Sequence, residues 1–524
     1  MNHPTTLPLL VRPLLSAALI LAIAGLKAEI PTPPGTSSNA SAVSAAPAKA
    51  KEAALTVSDA AQGVPIPTNF TGFSCETLNI LADTNGVRYF RPDNKPMLDL
   101  FRTIGIKSLR IGGNTGDRDF RAAPSPADID SLLDFAKAAD VNVIYCLRLL
   151  NADPAEQARI AGEITAKHPG QVEYFSIGQE PSAYPVEKVD TRRADERMGA
   201  GHEHFKYDVY ATNWDRAATE IRKAVPDARF AGPGVHRETK WPLKMLADFG
   251  KTGRISMLTA HLYPGGAGGA VTNAVAGRDR MLSGEFEKSY RDLAVLIPAA
   301  ASNNIPFRLE EANNFYNGGA VDVSDTYAAS LWGLDFLWWW ASHGAAGVNF
   351  HTGDKVAAGS RITPCRYATF YTAPGGIHAQ PLAYGIKAFD LGAHGKIVPV
   401  DLSFPAGSAP ANLSAYAAVD SNTLLVTLIN KEHGADAVPL GVTLNVGNAA
   451  GGAERIALNA PGGDVASKQG ITVGGSAIAD DGTWKGSWTP VAPEAPGRFR
   501  LEVSPASALI LRVPLRAPAA DAKH

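Results

Sequence analysis

Tyr174-Phe175-Ser176-Ile177-Gly178-Gln179-Glu180-Pro181 is the stretch on which the fold turns: a short β-prone run that ends in glycine, an amide, a carboxylate and proline. An apolar run of this length halted by Gly and Pro reads as a buried strand opening into a loop. Working outward in both directions, the same unit recurs, each time a short apolar run, then polar residues, then an Ala- and Leu-rich helical stretch. The runs are centred on residues 72–75, 108–111, 143–147, 174–177, 229–231, 257–262, 307–309 and 347–350. Their spacing, mostly about 25 to 50 residues, leaves room for one helix and its loops after each strand, as a parallel sheet requires. Eight such units point to an α/β chain closed as a (β/α)8 TIM barrel. An open doubly wound sheet is the alternative, but no dinucleotide-type glycine fingerprint follows the first strand.

After residue 388 the pattern changes to alternating runs at 413–419, 424–429, 442–446, 455–458, 471–473 and 499–503, separated by Gly, Asn, Asp and Pro. This predicts an all-β sandwich over 391–515 following a barrel over 54–390, with 54–57 a strand that could join the sandwich so that both chain ends close on one domain. Residues 516–524 read as a frayed tail. At the other end Arg12 precedes a mostly apolar run of 13 residues, 14–26, followed by small residues to Ala28. That run falls short of the roughly 20 residues that span a bilayer, so 1–28 reads as a cleaved signal peptide and the mature chain as secreted or periplasmic without a membrane anchor. Residues 29–53, rich in Pro, Ala and Ser, read as a disordered linker. The first cysteine is Cys75, so no lipid-bearing cysteine stands at the cleavage point; of Cys75, Cys146 and Cys365 at most one pair can form, and the first two read as packed thiols.

The 524 residues carry 49 Lys+Arg against 51 Asp+Glu, a net charge of -2, and 45% hydrophobic residues, the balance of a soluble globular protein. With no basic block, zinc-ligand spacing or phosphate-binding glycine loop, nucleic acid is not an expected partner. His202-Glu203-His204 lacks a third ligand and reads as a solvated loop rather than a metal site. Trp338-Trp339-Trp340 cannot share one helix face and is expected to pack around the barrel shell.

In a barrel of this kind chemistry sits at the C-terminal ends of the strands. Two carboxylates stand there: Glu180 after the fourth strand, and Glu311 at the end of Phe307-Arg308-Leu309-Glu310-Glu311-Ala312-Asn313-Asn314 on the seventh. One carboxyl group that donates a proton and one that attacks an anomeric carbon are what retaining glycoside cleavage needs, at a separation of ~5 to 5.5 Å. Helix capping is the alternative role for each. Strand alternation predicts that Glu310 and Glu311 point to opposite sides, with Glu311 facing the substrate.

Gly178-Gln179-Glu180-Pro181 resembles the Asn-Glu-Pro acid/base signature of the clan A barrel glycosidases. Glu311-Ala312-Asn313-Asn314-Phe315-Tyr316-Asn317-Gly318-Gly319 resembles the nucleophile segment of glycoside hydrolase family 79, the β-glucuronidases and heparanases. Leu109-Arg110-Ile111-Gly112-Gly113-Asn114 and Gly72-Phe73-Ser74-Cys75-Glu76 are similar to that family too, so the likeness covers about residues 55–515. The resemblance implies Glu180 as acid/base, Glu311 as nucleophile, Arg110 as the cation beside it and Tyr263 as its hydrogen-bond donor. It places the sugar carboxylate on Tyr316, Asn317 and Gly318, and sugar hydroxyls on Glu76, Asn114 and, with less weight, His351. Gln179 departs from the family's Asn at the 2-hydroxyl contact, and Glu310 from the expected glycine. The implied activity is cofactor-free and metal-free hydrolysis of a β-linked glucuronic-acid-containing glycan or glycoside. The alternatives are a clan A hydrolase of another sugar (a glucoside, xyloside or arabinofuranoside) and a non-catalytic carbohydrate-binding protein. The last requires a lost glutamate, and neither is lost.

Overall fold

Barrel strands are covered on both faces, which is why their sequences are almost unbroken in apolar character rather than alternating. The computed structural model describes residues 51–57, 63–118, 122–184, 206–358, 361–373, 375–407 and 410–516. The stretch read as a signal peptide, 1–28, that read as a linker up to residue 50, the His202-Glu203-His204 triplet and the tail from 517 lie outside the described residues.

The chain enters through β1 (Lys51–Val57). Eight parallel strands then close in sequence order: β2 (Thr71–Glu76), β3 (Ser108–Gly112), β4 (Asn142–Leu147), β5 (Val172–Ile177), β6 (Phe230–His236), β7 (Met257–Leu262), β8 (Phe307–Ala312) and β9 (Gly347–Thr352). Phe73 of β2 registers with Phe350 of β9, which completes the ring. Each strand falls on one of the eight runs expected from sequence. Around it stand α1 (Lys95–Thr103), α2 (Pro126–Ala139), α3 (Pro154–Lys167), α4 (Tyr207–Ala224), α5 (Lys240–Phe249), α6 (Ala274–Leu282), α7 (Glu287–Ala294), α8 (Leu296–Ala301), α9 (Tyr327–Ser342) and α10 (Pro381–Gly392). The helix α9 is apolar all round and accordingly buried. Its three tryptophans diverge as expected: Trp340 meets Phe307 of β8, Trp339 stacks on His343, and Trp338 lies flat on Tyr416, outside the barrel proper.

The barrel interior is unusual in its polarity. A small apolar cluster of Ile144, Tyr174, Ala231 and Met257 fills one part. Beside it Arg308 Nε donates to the side-chain Oδ1 of Asn349 at 3.0 Å, and Asn349 Nδ2 donates to Ser108 Oγ at 3.0 Å. Buried polar groups persist only when paired, and here they carry the network up to the strand ends.

After β9 come two hairpins that sequence periodicity does not announce: β10 (Lys355–Ala358) with β11 (Arg361–Pro364), and β12 (Phe370–Ala373) with β13 (Gly376–Ala379). The remaining strands are β14 (Lys396–Val398), β15 (Val400–Ser403), β16 (Leu413–Asp420), β17 (Thr423–Asn430), β18 (Leu440–Val446), β19 (Ala453–Asn459), β20 (Thr472–Val473), β21 (Thr489–Val491), β22 (Arg498–Val503) and β23 (Ser507–Pro514). One sheet has the order β15-β1-β18-β22, and the other β14-β16-β17-β23-β19-β20, with β21 also on β19. Leu55 of β1 pairs with Leu402 and Leu444 and is fully buried between the sheets. The strand begins at Lys51, three residues into the stretch read as linker, because Ala53 is buried while Lys51 and Glu52 reach Glu432 and Arg500. At the far end Arg516, read as frayed, donates its amide to Asn448. All three cysteines are free thiols.

Candidate active site

The site begins with an irregularity in β8. Pairing with β7 runs Leu258–Phe307, Thr259–Arg308, Ala260–Leu309, then slips so that His261 faces Glu311, and the register with β9 slips over the same residues. One extra residue is accommodated there, as in a β-bulge, and a bulge re-aims side chains. Regular alternation would turn Glu311 away from the face that Glu310 occupies; at the bulge both lie inside the ring, which corrects the expectation of opposite sides, while only Glu311 reaches the cavity over the strand ends, as expected. Glu310 is 1% exposed and accepts from Thr259 Oγ1 at 2.7 Å, while Glu311 is 6% exposed.

Three donors fix Glu311. Arg110 Nη1 lies 2.7 Å from its Oε2, Tyr263 donates to its Oε1 at 2.9 Å, and the Gln179 amide donates to Oε2 at 3.2 Å. Arg110 also donates to the Gln179 carbonyl and, at 3.2 Å, to Ser74 Oγ. Gln179 thus braces the Arg110–Glu311 pair, accepting from the arginine and donating to the carboxylate.

Glu180 leaves β5 with φ 45° and ψ 56°, a left-handed conformation that costs a β-carbon-bearing residue about 1 to 3 kcal/mol and so needs support from its surroundings. Asp117 supplies it, being 1% exposed and accepting from the backbone amides of Gln179, Leu149 and Leu150 at 2.9 Å and from the Tyr184 hydroxyl. The Glu180 carboxylate is held between Arg118 at 3.1 Å and His261 Nδ1 at 3.1 Å. Single donor atoms of Glu180, His261 and Glu311 all lie within 4.8 Å of one another. With Arg110 and Arg118 already on the two carboxylates, this cluster is an ion-pair lattice rather than a vacant ligand set.

Burial opposes ionisation of Glu311, but His351, His261 and Arg110, with the Tyr263 hydrogen bond, hold its carboxyl well below the usual glutamate range. Burial also works against Glu180, and the His261 hydrogen bond and charge together with Arg118 overcome it in the same direction. For His261 the balance is opposite in sign: burial would expel the proton, yet Glu311, Glu180 and Glu310 push its pKa up to about 9. Tyr263 is driven upward by burial and by Glu311, so it remains a donor.

Above these groups is a cavity of about 300 Å³, at the small end of small-molecule clefts. Of the residues singled out from sequence, Glu76, Asn114, Gln179, Glu180, Tyr263, Glu311, Tyr316, Asn317 and His351 line it. Arg110 lies behind Glu311. Gly318 does not line it: it is buried with φ 85°, and a β-carbon there would come 2.8 Å from Thr363 Oγ1 on β11. Glu76 accepts from the Thr115 amide at 3.0 Å and hydroxyl at 2.8 Å, and from the Ala357 amide at 3.2 Å, so the first hairpin is pinned over the site. Arg118, His236, His261, Tyr367, Asp117 and Glu310 were not read as site residues from sequence. Of these only His261 and Glu310 carried a signal, each being an ionisable residue within two positions of an assigned one at a strand end.

Residues 202–338 match the family model for the N-terminal domain of glycosyl hydrolase family 79. That segment includes His261, Tyr263 and Glu311 but neither Glu180 nor Arg110. A β-glucuronidase of Aspergillus niger is 24% identical over 195 residues, 36% of this chain and 35% of that protein, so the match spans about a third of the relative's length. Among solved structures, a 4-O-α-L-rhamnosyl-β-D-glucuronidase from Fusarium oxysporum superposes with a TM-score of 0.66 at 16% identity, covering 87% of this chain and 99% of that one. An α-L-arabinofuranosidase from Thermotoga maritima gives 0.63 at 14% identity, with 88% and 100% covered. The structural likenesses establish the shared fold, a TIM barrel carrying a β-sandwich.

Proposed function

We propose that this chain, similar over its central part to glycoside hydrolase family 79, is a retaining glycoside hydrolase acting on β-linked glucuronides, with Glu311 as nucleophile and Glu180 as acid/base. The observation that carries the proposal is the approach of Glu180 and Glu311 oxygens to within 4.8 Å across the barrel mouth. Retaining enzymes hold their carboxyl groups ~5 to 5.5 Å apart, whereas inverting ones stand ~6.5 to 9.5 Å apart to admit water between them. Position divides the roles, because both carboxyls are held below the usual glutamate range. Glu311, tied to Arg110 and Tyr263, is kept as the anion that attacks the anomeric carbon, expelling the aglycone oxygen as that oxygen takes the proton of Glu180. Glu180 then takes a proton from water as the water opens the glycosyl ester, which frees Glu311 and restores the acid.

The glucuronide assignment rests on the matched family segment and on Tyr316 and Asn317 at the cavity wall, where Asn317 (φ 61°), Gly318 (φ 85°) and Gly319 (φ 88°) form a left-handed run. Tyr316 and Asn317, the members of this stretch that reach the cavity, are the groups offered to a sugar carboxylate there. A leader at 1–28 would deliver the enzyme to a secreted or periplasmic location. No helix of the described residues is long and apolar enough to cross a membrane. The deciding experiment is an aryl-glycoside panel: β-glucuronide is expected to be cleaved at least tenfold faster, as kcat/KM, than β-glucoside, β-xyloside or α-arabinofuranoside. Preference for xyloside or arabinofuranoside overturns the substrate class while leaving the two glutamates in place.

A further inference from the structure

The interior holds a carboxylate beside the catalytic pair that the proposed reaction does not use. Glu310 lies beneath His261, its Oε1 3.7 Å from Nε2 and 2.7 Å from the Thr259 hydroxyl that donates to it. Neither His261 Nε2 nor Glu310 Oε2 has a hydrogen-bond partner among the described residues, and both are buried. Space for this approach is made by Gly234 of β6, at φ +61°, where a β-carbon would sit 2.5 Å from Glu310 Oε1 and 3.3 Å from His261 Nε2. On the other side of the ring, Nδ1 faces Glu180 at 3.1 Å. The order through the barrel is therefore Thr259, Glu310, His261, Glu180.

We infer that Glu310 is the counter-ion that keeps His261 an imidazolium and thereby decides where the proton shared with Glu180 rests. The inference depends on the acid/base role proposed for Glu180. An anionic Glu310 can only accept, so it favours a proton on Nε2. One further proton is then divided between His261 Nδ1 and Glu180 Oε1. On the imidazole it leaves His261 cationic and Glu180 a carboxylate; on Glu180 it leaves a neutral imidazole and a loaded acid. The negative charge of Glu310 shifts this partition toward the imidazolium and so confines acid catalysis to low pH.

Glu180 at 3.1 Å and Glu311 at 3.9 Å also favour the cation, but both lie on the Nδ1 side of the ring, whereas Glu310 is the carboxylate on the Nε2 side. Glu311 on β8 is engaged by Arg110 on β3 and by Tyr263 just after β7, His351 on β9 approaches Glu311, and Arg118 in the loop after β3 holds Glu180. His236 on β6 is driven toward its neutral form by burial. Glu310 is a positioning residue in this account: it acts through His261 and has no contact with the cavity.

The test has two arms. In wild-type protein with 15N-labelled histidine, the His261 ring nitrogens, assigned by their loss in His261→Gln, are expected to show both N–H groups and no titration between pH 5 and 8. A midpoint inside that window overturns the inference without turnover being measured, so its failure is distinct from failure of the catalytic assignment. In Glu310→Gln the His261 midpoint is expected to fall by at least one pH unit, and kcat/KM at pH 7 relative to the variant's own optimum to rise about tenfold, the equivalent of one unit. Glu310→Asp is expected to restore the wild-type profile in part. A folded Glu310→Gln with an unchanged pH profile and unchanged ring nitrogens sinks the proposal.

Discussion

Glu311 and Glu180 differ in what removing them does. Glu311→Ala is expected to abolish turnover of an aryl β-glucuronide by more than a thousandfold, with azide restoring activity and giving a glycosyl azide of inverted configuration, because azide fills the space of the missing nucleophile. Product of retained configuration, or no rescue in a folded variant, removes Glu311 from that role. Glu180→Gln is expected to lower kcat by about 10² to 10⁴ on substrates with poor leaving groups and far less on nitrophenyl substrates, which need no protonation to depart. The ion pairs also fix a pH signature of stability. The pKa of His261 is raised to about 9, so its contribution is complete below its ordinary value of 6.5 and is lost as pH rises through about 9. Glu180 and Glu311 are lowered, so theirs is complete above the ordinary 4.5 and is lost only in strong acid. Thermal melts are expected to be highest on a plateau between pH 5 and 7 and to fall toward pH 10. In His261→Gln the alkaline fall should disappear, and if it persists the buried imidazolium is not its source.

At the scale of elements, β1 makes the sharpest claim. It lies inside a sheet between β15 and β18, with Leu55 fully buried, although it precedes the barrel in sequence. Leu55→Ala is expected to cost about 2 to 5 kcal/mol, read from denaturant midpoints, while kcat/KM of the folded fraction stays unchanged because the strand touches no active-site group. A loss of activity without a loss of stability would contradict this. How much of these elements the sequence announces follows from what each one buries. The barrel strands were legible because both faces are covered, and 174–177 or 257–262 can be read as core without knowing any partner. The strand β1 was half legible, since only Ala53, Leu55 and Val57 point inward and its charged ends look like linker. The hairpins β10 to β13 were not legible, having four residues per strand and being ordered by contacts such as Ala357 with Glu76, which are remote in sequence. The bulge at Glu310-Glu311 was hidden for a related reason: alternation is a local rule, and the slip is set by the register of the neighbouring strands. The same blindness applied to Asp117 and Arg118, which stand in no motif and reach the Gln179 amide and the Glu180 carboxylate only because β3 and β5 end on the same rim. Glu180 and Glu311 were legible because glycine, proline and asparagine mark the strand ends that carry them.

Over the whole molecule the barrel shell and one face of the sandwich pack into a single apolar cluster, while the space between the two sheets holds a cluster of its own. One continuous apolar core takes in Phe389 and Trp338 from the helical shell together with Ala418, Ile429, Ile456 and Ile510 from the sandwich. At its edge Asp335 of α9 accepts from the Tyr416 hydroxyl at 2.8 Å and from Lys431 Nζ at 2.6 Å, while Trp338 stacks on Tyr416 with centroids 5.4 Å apart. Lys431 is nearly buried, its side chain 7% exposed, so removing its partner strands a charge away from water. Loss of one member of a buried pair costs about 3 to 5 kcal/mol, far more than a surface ion pair contributes. Because α9 also packs against β8 and β9, damage at this junction should reach both parts together. Calorimetry of the wild type is therefore expected to show one transition, and Asp335→Asn to lower that single transition with aryl-glycosidase activity disappearing over the same temperatures. A variant whose sandwich melts first while hydrolysis persists would mean that the barrel stands alone and that the shared core is a contact rather than a common foundation. The catalytic pair would then owe its geometry only to the strands that carry it. If the two losses coincide, the position of Glu311 on β8 depends on packing that extends through α9 to strands about a hundred residues later in the chain, a distance no local sequence rule spans.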